Sequence, residues 1–234
     1  MILDRNGTAA RELADEIGGS GFECDVADDR GMDDLAAEIE STLGAVEVLV
    51  NSAGVTQLPK APQDFPFEEW DRVVRIDQRG TYVACVVFGK RMILRGEGSI
   101  INIASIAGMR SLPLHAYSPA KAAVISMTEN LAAEWGPSGI RVNTVSPGYT
   151  LTPLMKGLIE RGERDPAALR ENAALQRLVD PIEVAKTVAF LASDESSGIT
   201  GANIPVDCGW LVATPWHTYG GLRKSVSEAL ETAK

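Results

Sequence analysis

His115-Ala116-Tyr117-Ser118-Pro119-Ala120-Lys121, preceded by the strand-like run Ser99-Ile100-Ile101-Asn102-Ile103-Ala104 that ends at Ser105, decides how this chain is read. Tyr117 and Lys121 are four residues apart, which puts a phenol and an ammonium on one helix face. A tyrosine ordinarily titrates near ~10, and a neighbouring cation stabilises its phenolate, so the pair describes a proton acceptor usable closer to neutral pH. Ser105, twelve residues before Tyr117, adds a hydroxyl at a strand end.

Outward from this stretch, apolar runs of strand length alternate with amphipathic helical segments, the pattern of a parallel sheet covered by helices on both faces. Ile2 to Asp4 reads as a strand end, and Ala9, Leu13, Ala14 and Ile17 as a helical stripe stopped by Gly18-Gly19. Phe22 to Cys24 is a short strand; Asp28 or Asp29 caps a helix whose face carries Met32, Leu35, Ala36, Ile39 and Leu43. Val46 to Val50 reads as a buried strand, and a loop from Gln57 to Pro66 leads into one long helix from about Glu68 to Leu94. The helix bearing Tyr117 and Lys121 runs to about Trp135 and stops before Gly136-Pro137. Arg141 to Val145 follows as a strand. The segment 151–178 is helical but broken by Pro153, Gly157, Gly162 and Pro166, and reads as a mobile insertion over a substrate pocket. Pro181 opens a helix to Ala192, and Asn203 to Val206 is a final strand. The chain reads as a single domain over residues 1–234, with 211–234 as a C-terminal extension: an aromatic and glycine-rich piece, then an exposed amphipathic helix.

Several short motifs join Ser105, Tyr117 and Lys121. Asn51-Ser52-Ala53-Gly54 follows a strand, and Asn143 with Pro147-Gly148 stands beyond the helix. Taken together they resemble the short-chain dehydrogenases and reductases, from the first residues to about Trp210. The resemblance implies a doubly wound, Rossmann-like α/β fold of three layers and a hydride transfer between a nicotinamide dinucleotide and a secondary alcohol or ketone. It implies that Ser105 hydrogen-bonds the substrate oxygen, that Tyr117 moves its proton, and that Lys121 assists the phenolate and grips the nicotinamide ribose. Asp4 takes the place of the acid that binds the adenosine ribose, where a carboxylate repels a 2'-phosphate and favours NAD; Arg5 beside it leaves NADP open as the lesser choice. Asp25 and Val26 match the pair beside adenine. Asn51, Ala53 and Gly54 match the family's Asn-Asn-Ala-Gly, with Ser52 in place of its second Asn. Pro147, Gly148 and Thr152 match the segment that closes on the nicotinamide, and His115 and Tyr149 fall where substrate is lined.

Two departures stand out. The family's fourth catalytic residue is an Asn in the long helix, and here it is Asp77. Its negative charge opposes phenolate formation through Lys121 and is expected to make the rate optimum more alkaline than that of Asp77→Asn, unless Arg75 or Arg79 neutralises it. The sequence also opens at what resembles the family's second strand. The first strand, the glycine-rich phosphate loop and the first helix are missing, and neither Gly18-Gly19-Ser20-Gly21 nor Gly96-Glu97-Gly98 substitutes for that loop. The chain as given is therefore expected to be fragile. Two accounts are open: Met1 is internal to a longer enzyme, or this is a truncated paralogue that acts as an interaction or oligomerisation protein.

Composition bounds the partners. With 45% hydrophobic residues and a net charge of -10, the chain has a globular core and a surface unsuited to nucleic acid or anionic membrane. No apolar run approaches the ~18 residues that span a bilayer, so the cytoplasm is the default expectation. Cys24, Cys85 and Cys208 are spaced for neither disulfides nor zinc and read as reduced, buried thiols. No metal is expected. The expected substrate is a polyol or sugar, with a 3-oxoacyl thioester as runner-up, and the resemblance implies a homotetramer or homodimer.

Overall fold

The computed structural model describes residues 1–223. The amphipathic helix expected near the C-terminus lies outside the described residues. In chain order the elements are β1 (Ile2–Asp4), α1 (Gly7–Glu16), β2 (Gly21–Glu23), α2 (Asp29–Thr42), β3 (Val48–Asn51), α3 (Phe67–Val73), α4 (Thr81–Arg95), β4 (Gly98–Ile103), α5 (Tyr117–Trp135), β5 (Ile140–Pro147), α6 (Pro153–Glu160), α7 (Pro166–Glu171), α8 (Pro181–Ala192), β6 (Asn203–Val206) and α9 (Trp210–Ala213). The described residues form two compact units, 1–146 with 187–204, and 147–186 with 205–223.

Local chemistry explains the boundaries. Asn6 and Asp28 cap α1 and α2 by accepting from the backbone N–H of Ala9 and Gly31. Gly96 ends α4 at φ 80°, a left-handed conformation in which its N–H reaches back to Met92 and Ile93. The expected long helix differs in one respect: a π-helical segment, Val74–Gly80, separates α3 from α4. One extra residue per turn there carries Asp77 into the interior, where it has no exposure.

In the first unit β1 pairs in parallel with β2, and a separate sheet runs β3-β4-β5-β6, parallel where β4 meets β3 and β5. This is the doubly wound architecture with helices flanking parallel strands. A core of Met32, Ala36 and Ile39 from α2, Phe88 and Met92 from α4, and Ile100 from β4 joins the layers. Among the described strands none pairs with the outer edge of β1 or of β3, and between these edges lies a largely apolar cavity of about 620 Å³ lined by Leu3, Met32, Val48, Val50, Ala84 and Phe88. The expectation of a buried strand over Val46 to Val50 is thereby corrected: Val48 and Val50 are 41% and 43% exposed, because β3 is an edge strand bordering this space.

A buried polar chain fixes the register of the larger sheet. The Asn51 amide donates to Asn102 Oδ1 at 2.8 Å, Asn102 Nδ2 donates to Thr128 Oγ1 at 2.9 Å, and Thr144 Oγ1 donates to the same hydroxyl at 2.6 Å. β3, β4, β5 and α5 are tied at one level. The Cys85 thiol lies against Asn51 and Asn102, and burial pushes its pKa up to about 12, so it stays neutral.

In the second unit Thr150 bridges to Val179, and Ala173, Val179 and Cys208 form a small core with Val184 and Val206. The broken helical pattern resolves as α6 and α7. The three cysteines are free and buried. Among the described residues no helix is long and apolar enough to cross a membrane.

Replacing Asn102 by Leu leaves the Asn51 amide and the Thr128 hydroxyl without that partner. At about 1 to 3 kcal/mol for each buried group deprived of its bond, the variant is expected to lose roughly 2 to 6 kcal/mol. Urea denaturation measures it, and an unchanged midpoint would show that the chain carries no register energy.

Candidate active site

Ser105 leaves β4 in extended conformation, and its Oγ accepts from the Ala107 N–H at 3.1 Å, starting a single 3-10 turn over Ile106–Gly108. That turn rests on α5. A Cβ added to Gly108 would sit 2.7 Å from the Lys121 carbonyl carbon and the Ala122 nitrogen, so only glycine permits this approach. The serine-bearing turn is thereby docked at Lys121.

Tyr117 is the first residue of α5, and Lys121 stands one turn later. The Lys121 Nζ lies 5.5 Å from the centre of the Tyr117 ring. Only 4% of Lys121 is exposed. Its ammonium donates to the Ile103 carbonyl at 3.1 Å and lies 3.3 Å from Asp77 Oδ2, an ion-pair distance outside hydrogen-bond geometry. Asp77 Oδ1 accepts from the Val55 N–H at 2.8 Å. Burial pushes the Asp77 carboxyl above the ordinary aspartate range; Lys121, the Val55 N–H and, more weakly, Arg72 oppose this. Arg79 does not neutralise Asp77: it pairs with Asp29 at 2.8 Å. Gly54 covers the pair, its notional Cβ 3.2 Å from Asp77 Oδ2 and 3.5 Å from Lys121 Nζ.

The remaining expected residues fall as follows. Asp4 is exposed at the end of β1, with Oδ1 accepting from the Asn6 N–H at 2.8 Å. Asp25 Oδ1 accepts from Ala27, and Val26 packs against Gly80, where any Cβ would lie 2.8 Å from it. Asn51 is committed to bracing the sheet, while Ser52, Ala53 and Gly54 are exposed at the end of β3. His115 is half-buried two residues before Tyr117. Within the second unit Pro147 ends β5, the Gly148 N–H donates to Val206, and the Thr152 Oγ1 caps α6 through the Met155 N–H. Tyr149 stacks edge-on against Trp210 at 5.9 Å, and burial raises its pKa. Among the described residues no cluster of His, Cys, Asp and Glu could hold a metal ion.

Sequence reasoning missed Gln57. Its Oε1 accepts from the N–H groups of both Ala116 and Tyr117. The available signal was the residue ahead of Tyr117: Ala116 has no side chain with which to cap a helix.

The family model described as enoyl-(acyl carrier protein) reductase matches residues 1–211. D-threitol dehydrogenase of Mycolicibacterium smegmatis is 38% identical over 216 residues, which cover 90% of this chain and 82% of that one. The chain belongs to the short-chain dehydrogenase/reductase family. Its structural relatives agree in fold. A Brucella melitensis structure named ribose-5-phosphate isomerase is 50% identical, with a TM-score of 0.93 over 95% of this chain and 86% of that one. A gluconate 5-dehydrogenase from Burkholderia cenocepacia, solved with NADP and tartrate, is 30% identical with a TM-score of 0.84 over 91% and 85%. As a short-chain dehydrogenase/reductase the chain is an oxidoreductase.

Asp77 binds its proton more tightly in the native state than in the unfolded chain. Its contribution to stability is therefore largest in acid and declines as pH rises from the ordinary 3.8 through the raised value. Asp77→Asn lacks this titration. The urea-midpoint difference, wild type minus Asp77→Asn, is expected to fall as pH rises through that window and then level; a difference that grows with pH would contradict the burial argument.

Proposed function

We propose that this protein transfers a hydride between NAD and a secondary alcohol or its ketone, and that the alcohol is a polyol or sugar. The observation carrying the chemistry is the buried Lys121 ammonium over the Tyr117 ring, held by Ile103 and Asp77. In alcohol oxidation Ser105 Oγ hydrogen-bonds the substrate oxygen, and Tyr117 takes the hydroxyl proton. Lys121, itself buried, stabilises the charge that the proton transfer moves. Asp77 acts by holding Lys121 at ion-pair distance, and His115 and Tyr149 are assigned to substrate.

Several of the residues present support a dinucleotide as cofactor. Asp4 offers an exposed carboxylate to ribose hydroxyls, with Asp25 and Val26 beside it. Ala53 and Gly54 carry no side chain beyond Cβ where backbone must approach the cofactor, and Asn51 holds their strand. Pro147, Gly148 and Thr152 keep their assignment to the nicotinamide by sequence resemblance. Bound nicotinamide supplies or accepts the hydride at the reacting carbon. The carboxylate of Asp4 supports NAD over NADP.

The substrate class rests on the relatives' names: D-threitol dehydrogenase, an NAD-dependent glycerol dehydrogenase of Listeria innocua and an NAD-bound xylitol dehydrogenase. Two other readings have a specific observation behind them. The family description favours an acyl thioester, and the Brucella name favours a sugar-phosphate isomerisation that needs no net redox change. The family resemblance further supports a homodimer or homotetramer working in the cytoplasm.

A screen of threitol, xylitol, galactitol and glycerol against a 3-oxoacyl thioester, read by NADH absorbance, is expected to favour a polyol, with NAD above NADP in kcat/KM. Ribose 5-phosphate, assayed for ribulose 5-phosphate without cofactor, is expected to be inert. Tyr117→Phe is expected to lower kcat by about 10² to 10⁴, the usual share of positioned proton transfer. Absence of turnover in both versions, with assembly intact, would replace the enzyme with an oligomerisation protein.

A further inference from the structure

We propose that Gln57 is a positioning residue of the active site: its side-chain oxygen caps the catalytic helix from outside and so fixes the backbone from which the Tyr117 phenol projects. This rests on the reading of Tyr117 as the proton-transfer residue.

The first N–H groups of any α-helix lack partners within the helix and need an acceptor from elsewhere. For α5 the residue ahead is Ala116, which has none to give. Leu114 accepts from Ser118 at 2.9 Å, and Ala116 accepts from Ala120 at 3.1 Å. The two donors left over, Ala116 N–H and Tyr117 N–H, converge on Gln57 Oε1 at 2.7 and 2.9 Å. The partner lies 59 and 60 residues back in sequence, in the loop that follows β3, so the cap is tertiary. It ties the Asn51 to Gly54 end of β3 to the first turn of the catalytic helix.

The chemistry of the residue supports more than packing. Gln57 is 3% exposed, yet its Nε2 is buried without a hydrogen-bond partner. A methionine or leucine would fill the same space and leave no such donor stranded. What glutamine alone adds is an oxygen carrying partial negative charge, set against the positive end of a helix whose first residue does the chemistry. Tyr117 occupies the position where a helix frays most readily, and its phenol must meet the substrate hydroxyl within hydrogen-bond length. A displacement of about 1 Å there is enough to cost ~10² in rate.

The test compares Gln57→Met, which keeps the bulk and removes the acceptor, with Gln57→Glu, which restores an acceptor. Both are made in the full chain, with wild type and Tyr117→Phe alongside on the best polyol and NAD. Gln57→Met is expected to lose about 10- to 100-fold in kcat, the scale of a misplaced reacting group, with the NAD KM within about twofold. Gln57→Glu is expected to recover most of that loss. Hydrogen exchange at the Ala116 and Tyr117 amides is expected to accelerate selectively in Gln57→Met and to slow again in Gln57→Glu. Should Gln57→Met fail to fold, Gln57→Asn, one methylene too short to reach, takes its place. Unchanged exchange at these two amides overturns the inference, as does a Gln57→Glu enzyme as slow as Gln57→Met. If wild type itself oxidises no alcohol, the functional reading fails, and the exchange pattern still decides the cap.

Discussion

An ammonium buried to 4% exposure must be surrounded by groups that replace water, and the site is organised around meeting that demand for Lys121. Three elements supply them. β4 ends so that the Ile103 carbonyl accepts from Nζ, the π-helical segment brings Asp77 to ion-pair distance, and α5 itself places the Tyr117 ring beside the cation. None of these groups is close to Lys121 in sequence except Tyr117. Two glycines make the convergence sterically possible: Gly108 lets the Ser105 turn lie on the α5 backbone, and Gly54 lets the loop after β3 cover the ion pair. Side-chain atoms at either position would displace the groups that solvate the lysine.

The depth of Lys121 relative to β4 depends in turn on the polar chain through the sheet. Asn102 precedes Ile103, and Thr128 is seven residues beyond Lys121 on α5, so the Asn102 to Thr128 bond at 2.9 Å locks the strand and the helix in one relative register. Apolar packing between a strand and a helix tolerates small slides; a buried amide with a single suitable hydroxyl does not. Thr128 spends its own proton on the Val124 carbonyl and accepts from both Asn102 and Thr144, so each buried hydroxyl in the chain has a defined direction.

The parts of this arrangement that are local in sequence were legible before the structure. Tyr117 and Lys121 share a face because of helical spacing, α5 stops at Gly136-Pro137, and α1 stops before Gly18-Gly19, each for a reason contained in a few residues. The π-helical segment was not legible, because no local signal separates Val74 to Gly80 from continued α-helix and the extra residue per turn goes with the place Asp77 takes beside Lys121 and Val55, far off in sequence. Gln57 itself was equally silent: Ala116 signals that α5 needs an outside acceptor, but nothing in a polar loop says which residue supplies it, since the partner is selected by the tertiary fold. The exposure of Val48 and Val50 was misread because an apolar run reports on hydrophobicity and not on which edge of a sheet the run occupies.

The proposed cofactor has its two ends on different sheets, and this places a structural requirement on elements that touch neither end. Asp4, Asp25 and Val26 belong with β1 and β2, whereas Asn51, Ser105 and Lys121 belong with the sheet that begins at β3. No described strand hydrogen-bonds the two sheets together. Their separation is instead held by α2 against α4: Met32, Ala36 and Ile39 pack with Ala84, Phe88 and Met92 in one core. Arg95 pairs with Glu40 at 2.7 Å, and Lys90 and Arg91 both reach Asp33, which they hold below the usual carboxylate range. Asp33 and Lys90 are half-exposed, so those pairs orient more than they stabilise, and the apolar contact sets the distance. A shift of α2 along α4 would move β1 and β2 against the larger sheet while leaving the hydrogen bonds around Lys121 intact. The helix pair, remote from Lys121, therefore sets the spacing of the two sheets on which the ends of the proposed cofactor fall.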